Sequence, residues 1–475
     1  MKVSLVLLPQ WDTQSPPLGI NYIGKALREA NHNVSLLDYN NEMRLRANEL
    51  NDTAASNLWD DTHLAYWFTQ ESYNSKVFPV LKNLFEEFEE KLVAYIHEHS
   101  IEILGFSTFY TNRFVTLDFI KRIKAKYPKL LIVLGGPSAT LTQEILKFLY
   151  AGLIDAIIPN EGEQSIVELV DAWEAGSSIH SIPGVRGRGT EKFEQRPPMD
   201  MNELPIIDYV DFNFEDYQEV QIPIMMSRGC VAKCTFCDEP GYWGKFRFRK
   251  PEGILKEMKF NSERYGIKDF EFMDSLINGH IRYLSDLAIL LRDEKLDLVF
   301  GGNARVSKNM DYDFLKILKE AGCSHLVFGM ESGSQAMLDL MKKNIKTEWA
   351  CENFKNCYDL GIEVHINLIV GFPGETEKDF QETIKFVKSV RKYLKRTFVM
   401  NMELLPGTDV FMNPQKYDIK LNGDGSIFFD SYVDSWINKD GLNNLEVRLK
   451  RRAILQEVIA ENPNIINYPL YLKKG

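Results

Sequence analysis

The chain has 475 residues, a formal net charge of -11, and a composition that is 44% hydrophobic and 26% charged. That length exceeds one ordinary core and predicts two domains plus an appendage. The acidity argues against a nucleic-acid partner, which normally leaves a basic footprint. No apolar run nears the roughly 20 residues of a membrane span. The first strand follows Met1 at once, leaving no room for a signal peptide, so the expectation is a cytoplasmic protein with no membrane contact.

Residues 1–181 alternate short apolar strands (3–8, 34–37, 101–107, 130–134 and 156–159) with helical stretches. This pattern predicts an α/β, doubly wound, Rossmann-like parallel sheet, which takes ligands at the carboxyl ends of its strands. The loops at those ends are Ser15-Pro-Pro-Leu18-Gly19, Ser107-Thr108-Phe109, Gly135-Gly136-Pro137-Ser138 and Asn160-Glu161-Gly162-Glu163. Glycines there let backbone approach a ligand, and helix N-termini offer free N–H donors. Between the second and third strands, residues 40–99 form a long insertion with helical spacing near Val80 to Phe88, carrying Trp59, Tyr66, Trp67, Phe68 and Tyr73. These aromatics either roof a ligand or pack the insertion down, and packing is the favoured reading. His63, in Asp61-Thr-His63, reads as a surface or core histidine.

Residues 182–220 are rich in proline (Ile182-Pro-Gly, Arg196-Pro-Pro, Leu204-Pro) and read as an extended linker. From 221 to 410, strands near 222–226, 270–273, 298–301, 326–328, 365–370 and 398–404 alternate with helices, predicting a partial (β/α)6 barrel of the TIM type with reactive residues at the strand C-termini. Residues 411–475, with Phe428, Phe429, Tyr432 and Trp436, are expected to form a small C-terminal cap, and Arg448 to Arg452 the solvated face of its helix.

Directly after the apolar run ending at Met226, the loop Ser227-Arg-Gly-Cys230-Val-Ala-Lys-Cys234-Thr-Phe236-Cys237 places three thiols close together. Three thiolates are one too few for a closed four-iron cluster and would leave one iron open to another ligand. The alternatives are a zinc site, needing a fourth ligand such as His280 or His325, or three core cysteines. The remaining cysteines, Cys323, Cys351 and Cys357, do not suggest a second cluster.

The Cys-x3-Cys-x2-Cys spacing with Phe236 before the last Cys closely resembles the signature of the radical S-adenosylmethionine (SAM) superfamily. The four glycine-bearing loops of the first half resemble the cobalamin-binding domain that precedes many such domains, although its Asp-x-His-x-x-Gly string is missing. The resemblance implies a [4Fe-4S] cluster on Cys230, Cys234 and Cys237, with SAM chelating the open iron. Reductive cleavage of SAM would release a 5′-deoxyadenosyl radical. It implies SAM contacts from Phe236, Asp274, Asn303, Arg305, Glu331 and Ser332, the last two in Phe328-Gly-Met-Glu331-Ser332-Gly-Ser. It also implies cobalamin contacts from Leu18, Gly19, Ser107, Thr108, Phe109, Gly135, Gly136, Pro137, Ser138, Glu161, Gly162 and Glu163. Glu375 is read as a helix-start residue.

The activity expected of that class is methyl transfer from methylcobalamin to an unactivated carbon of a small molecule or peptide, with a flavodoxin or ferredoxin as reductant. The alternatives are a ring rearrangement or cyclisation, a radical SAM enzyme that has lost cobalamin, and a non-catalytic iron-sulfur sensor.

Overall fold

The structure, a computed structural model, describes residues 1–139, 143–405, 407–421 and 436–467. The chain divides into two compact units at the Val220–Gln221 bond.

The first unit is built on a six-stranded sheet in the order β2-β1-β3-β4-β5-β6, from β1 (Lys2–Leu7), β2 (Asn33–Asp38), β3 (Ile103–Ser107), β4 (Leu131–Gly135), β5 (Ala156–Ile157) and β6 (Arg186–Gly187). All pairs are parallel except β5 with β6. Side chains alternate along β1, so Val3, Leu5 and Leu7 join one core and Val6 and Leu8 the other. Both faces are therefore buried, as a parallel sheet requires.

The insertion is helical almost throughout. Its longest helix, Phe78–His99, buries Leu81, Leu84, Phe85, Phe88, Leu92 and Ile96, an apolar stripe at helical spacing. Trp59, Trp67 and Tyr73 are buried in the same core as that stripe, so these rings pack the insertion onto the sheet. Residues 182–220 are irregular apart from β6 and two short helical turns, and they are tied to this unit. One guanidinium nitrogen of Arg28 donates to both Asp211 oxygens at 2.8 Å, and the Tyr217 hydroxyl donates to buried Asp38 at 2.7 Å.

The second unit holds a seven-stranded sheet, β17-β14-β13-β12-β11-β10-β7, parallel in every pair. Its strands are β7 (Ile222–Ile224), β10 (Asp269–Phe272), β11 (Val299–Ala304), β12 (Cys323–Glu331), β13 (Glu363–Val370), β14 (Leu394–Asn401) and β17 (Ile466–Asn467). Two small antiparallel pairs complete it: β8 (Ser227–Arg228) with β9 (Arg247–Phe248), and β15 (Ile419–Leu421) with β16 (Trp436–Asn438). The α/β class, with an open parallel barrel sheet, is as expected from the sequence.

The C-terminal segment departs from the reading of a separate cap. The helix Leu445–Ala460 packs beside β14 and the helix Glu377–Val390, and β17 extends the barrel sheet. Arg448, Arg451 and Arg452 are buried instead of solvated. Arg448 donates to the carbonyls of Asn443 and Trp436 and stacks its guanidinium 4.1 Å from the Trp436 ring centre. A buried arginine is tolerated where its donors meet fixed acceptors, here the two carbonyls, and its plane stacks on an aromatic ring. Phe428, Phe429 and Tyr432 lie outside the described residues.

Candidate active site

The cluster loop leaves the end of β7 and is fixed at both shoulders. Asp274, just past β10, is buried, and its two oxygens accept from the backbone N–H groups of Met226 (3.0 Å) and Ser227 and from the Ser227 hydroxyl (2.5 Å). Burial pushes its carboxyl up to about 6 against those hydrogen bonds. On the other shoulder, Arg249 donates to the Met225 carbonyl (3.1 Å) and forms a fully buried ion pair with Glu257 at 2.5 Å. Gly229 has φ +80, the left-handed region, where an added Cβ would sit 3.2 Å from the Lys245 carbonyl oxygen.

Within the loop, Thr235 donates its N–H to the Met341 carbonyl and accepts at its own carbonyl from Val410 N–H, both at 3.0 Å. Cys230, Cys234 and Cys237 are free and half-buried around this anchor. Among the described residues the one group of three ligand atoms close enough for a single ion is His32, Asp171 and Glu174. The three Sγ atoms are therefore not all within 4.8 Å of one another. The suggested fourth zinc ligands are engaged elsewhere: His280 caps the helix Ile281–Asp293, and His325 pairs with Glu271 at 3.1 Å. Burial pushes the Cys237 thiol up to about 12, so loading iron must expel a proton there.

The charges around the loop divide by side. Near Cys234 stand Lys343, Arg305 and Glu331, and near Cys237 stand Glu239 and Asp238. Lys343 and Glu331 form a buried ion pair of 2.7 Å, and the Lys343 ammonium lies 5.8 Å from the Phe236 ring centre. Burial opposes the charge of Lys343, but Glu331 and Cys234 outweigh it and hold the ammonium above its usual range. Glu331 itself has φ +64, a conformation that costs a non-glycine residue on the order of 1–3 kcal/mol and clusters at functional sites.

Of the other residues assigned from sequence, Asn303 is exposed at the mouth and donates to the Asp274 carbonyl at 3.0 Å. Arg305 exchanges two hydrogen bonds with Asn278, donating its N–H to the side-chain oxygen (2.8 Å) and accepting at its carbonyl from the side-chain amide (2.7 Å), and its guanidinium reaches the Lys343 carbonyl. Asp274 spends both oxygens on the loop, and Ser332 is wholly buried with its hydroxyl 3.0 Å from that of Thr383, contacts that brace both segments. Glu375 lies just before Thr376, the N-cap of the helix Glu377–Val390; it is buried, accepts from Gly371 N–H at 2.8 Å, and pairs with Arg451 at 2.9 Å. Lys343 and Glu257, the buried partner of Arg249, went unnoticed in the sequence, since no local motif marks a side chain whose partner is eight or more positions away.

In the first unit, the carboxyl ends of β1, β3, β4 and β5 bring the anticipated loops together. Thr108 bridges β3 and β4, donating its N–H to the Gly135 carbonyl (2.8 Å) and accepting at its carbonyl from Ser138 N–H (2.9 Å). Gly136, at φ +97, passes so close that a Cβ would meet the Thr108 nitrogen at 2.6 Å. Among the described residues the Thr108 and Ser138 hydroxyls are buried without a hydrogen-bond partner, and none lies within 4 Å of where a Cβ of Gly19 would be. Phe109 stacks on Trp11 at 3.5 Å between ring centres. Leu18 opens the helix Leu18–Glu29 and Gly162 caps the helix Glu163–Glu174, in which Glu163 is buried. Pro137 is exposed beside half-buried Ser107, and Glu161 accepts from Met199 N–H at 3.3 Å. Orphaned buried hydroxyls and an open glycine at one sheet edge fit a large ligand with polar appendages.

A Rossmann-like sheet with a ligand edge, followed by a parallel barrel with three cysteines at its mouth, defines a two-cofactor radical enzyme. Residues 224–387 match the radical SAM superfamily and residues 72–170 the B12 binding domain. The chain is thus a radical SAM enzyme with a B12-binding domain ahead of its barrel, a pairing that implies a [4Fe-4S] cluster, SAM and cobalamin as cofactors. It is 27% identical over 405 residues to an uncharacterised methyltransferase of Pyrococcus horikoshii, covering 82% of this chain and 78% of that one. It is 22% identical to the cytidylyl-2-hydroxyethylphosphonate methyltransferase of Streptomyces wedmorensis, over 90% and 82% of the two chains. The anaerobic magnesium-protoporphyrin IX monomethyl ester cyclase of Rubrivivax gelatinosus is 27% identical over 58% of this chain and 51% of its own. Among solved structures, the fold is shared with the radical SAM methyltransferase TsrM of Kitasatospora setae, solved with cobalamin and a [4Fe-4S] cluster (TM-score 0.72, 16% identity, 100% and 92% coverage). It is shared also with OxsB, solved with aqua-cobalamin and SAM (TM-score 0.69, 17% identity, 96% and 66% coverage). Among the described residues no helix is long and apolar enough to cross a membrane.

Proposed function

We propose that the protein transfers a methyl group to an unactivated carbon of a small molecule or peptide, as a cobalamin-dependent radical SAM methyltransferase. The carrying observation is the combination, in one chain, of a three-thiol loop braced beside a buried Lys343–Glu331 pair with a sheet edge holding two orphaned hydroxyls. The methyltransferase names of two relatives, and tryptophan as the substrate bound in TsrM, support the reading.

When bound, the cluster and SAM supply a carbon-centred radical after one-electron reduction, and cobalamin supplies the methyl group. The chain's own residues hold and orient these groups. Cys230, Cys234 and Cys237 hold the cluster. Lys343 and Arg305, on the Cys234 side, offer cations to the SAM carboxylate, and Glu331 sits where a hydroxyl or amine would be accepted. Thr108 and Ser138 offer hydroxyls to cobalamin's polar appendages, and Gly19 and Gly136 keep its approach clear. A flavodoxin or ferredoxin is the reductant that the low-potential chemistry calls for.

Anaerobic reconstitution with iron, sulfide and hydroxocobalamin tests this. About four iron and one cobalt per chain, with 5′-deoxyadenosine formed from SAM, are expected. Iron without cobalt would overturn the methylcobalamin route. The cyclase relative keeps one other reading in view, a cyclisation or rearrangement. A product heavier by one methyl group decides between them.

A further inference from the structure

Thr235, in the middle of the cluster loop, ties three segments together through its 3.0 Å bonds to the Met341 carbonyl and the Val410 N–H. Behind these bonds lies a small core that holds Met341, Val410 and Tyr417, with Phe236 packed against it. The chain neighbours of those residues are exposed. Val231, Leu340 and Met412 are 50%, 39% and 63% exposed, and Lys233, Lys342 and Lys416 are exposed with them. Single exposed apolar side chains are ordinary, but three brought to one loop by three bonded segments form a patch, and such patches mark interaction sites.

The rim of this patch is basic. Asp409 is shared between Lys416 at 2.5 Å and Lys342 at 4.0 Å, Asp339 meets Lys346 at 3.8 Å, and Lys233 adds a further cation. Lysines therefore outnumber carboxylates here, on a chain whose net charge is -11. The buried cations close by are turned inward: Arg249 pairs with Glu257, Lys343 pairs with Glu331, and Arg228 stacks 4.9 Å from the Trp243 ring centre. Asp238 and Glu239, at the other end of the loop, are half-buried. A basic rim on an otherwise acidic protein steers an acidic partner to this face, with a strength that salt screens.

Val231 and Lys233 alternate with Ala232 and the ligand position Cys234, so this surface borders the thiols themselves. We propose that the face formed by Val231, Leu340 and Met412, rimmed by Lys233, Lys342 and Lys416, is where an acidic one-electron carrier protein docks to reduce the cluster. This rests on the radical SAM reading of the site. At docking the carrier's reduced flavin or iron–sulfur group loses one electron and the cluster gains it; no bond is made or broken and no proton moves. An apolar centre inside a charged rim suits a partner that must leave after each electron, and such redox contacts bury less than about 1,200 Å².

The test uses the anaerobically reconstituted full chain, with reduced flavodoxin, an acidic protein, as the probe and photoreduced 5-deazariboflavin as a small neutral reductant. Stopped-flow absorbance gives the second-order rate constant of cluster reduction by each. Lys342→Glu/Lys416→Glu reverses the rim, and Lys342→Gln/Lys416→Gln is the milder form should the reversal disturb folding. Lys316→Glu/Lys355→Glu makes the same charge change on the helices Tyr312–Glu320 and Thr347–Leu360. With flavodoxin the rate constant should fall about tenfold or more in the reversal and about threefold in the glutamine form, and the differences should shrink as salt rises from about 0.05 to about 0.5 M. The control pair, and all variants with deazariboflavin, should stay within about twofold of wild type. Four results would overturn the proposal: no fall with flavodoxin, an equal fall in the control pair, a parallel fall with deazariboflavin, or a wild-type cluster that deazariboflavin reduces and flavodoxin does not. Wild-type protein that binds no cluster or never cleaves SAM is a separate outcome, which would remove the radical SAM reading.

Discussion

Lys343→Met removes the cation from a buried pair and leaves Glu331 facing the cluster loop alone. The two side chains are 12% and 8% exposed and their charged atoms are 2.7 Å apart. At an effective dielectric constant of about 20, that separation corresponds to about 6 kcal/mol of attraction, most of it offset by the desolvation of both groups. Breaking such a pair from one side costs about 3–5 kcal/mol, because the remaining charge stays buried. The same substitution removes the ammonium from the Phe236 ring and from the vicinity of Cys234, loosening the loop as well as destabilising the fold. Urea denaturation of the apoprotein should therefore show a loss of about 3–5 kcal/mol, and reconstituted iron should fall. The double variant Lys343→Met/Glu331→Gln, with no charge left unpaired, should recover at least about 2 kcal/mol of that loss. A single-variant loss below about 1 kcal/mol, or a double variant no more stable than the single one, would refute the reasoning.

Replacing Cys234 by Ala should abolish stable iron binding and SAM cleavage together while leaving the circular dichroism spectrum unchanged, since the role proposed for this half-buried thiol is ligation and not packing. Gly136→Val should cost about 2–3 kcal/mol and most of the bound cobalt, because its Cβ would meet the Thr108 nitrogen at 2.6 Å in a left-handed conformation; retained cobalt at wild-type stoichiometry would count against the proposed sheet-edge site. Asp274→Ala leaves two backbone N–H groups and the Ser227 hydroxyl unmatched and should destabilise by about 3 kcal/mol or more, read as a fall in melting temperature. For Glu403 the folded carboxyl, at about 7, lies above its ordinary 4.5, so the protonated form is favoured by folding and that stability is lost as pH rises between those values. Glu403→Gln should match wild type at pH about 4 and be more stable by about 1–3 kcal/mol at pH about 8; the reverse order in a melting series at the two pH values would show that the carboxylate is already compensated.

Much of the fold was legible because its signals are local. Short apolar runs alternating with helices can bury both faces of a strand only in a parallel sheet, which is why the strands of both halves emerged near the positions expected. The C-terminal segment was misread for the opposite reason. Arg448, Arg451 and Arg452 look like solvated charge until the fold supplies the Asn443 and Trp436 carbonyls and Glu375, and β17 is only two residues long. In the insertion, the aromatic rings carried no periodicity that could separate a roof from a core, and only the packing of Trp67 and Tyr73 beneath Phe78–His99 decides it.

The sequence by itself determined the chemistry that depends on neighbours in the chain: three thiols within eight residues, one short of a closed cluster, and glycines at successive strand ends. Tertiary structure alone decided which carboxylates are free to meet a ligand. Asp274, Glu331, Glu375 and Glu403 are indistinguishable as isolated strand-end acids. One braces a loop, one is matched by Lys343, one by Arg451, and Glu403 by no protein cation among the described residues. The reason is that a carboxylate's role is set by the donors within about 3–4 Å of it, and those donors come from segments distant in the chain that only the folded barrel brings together.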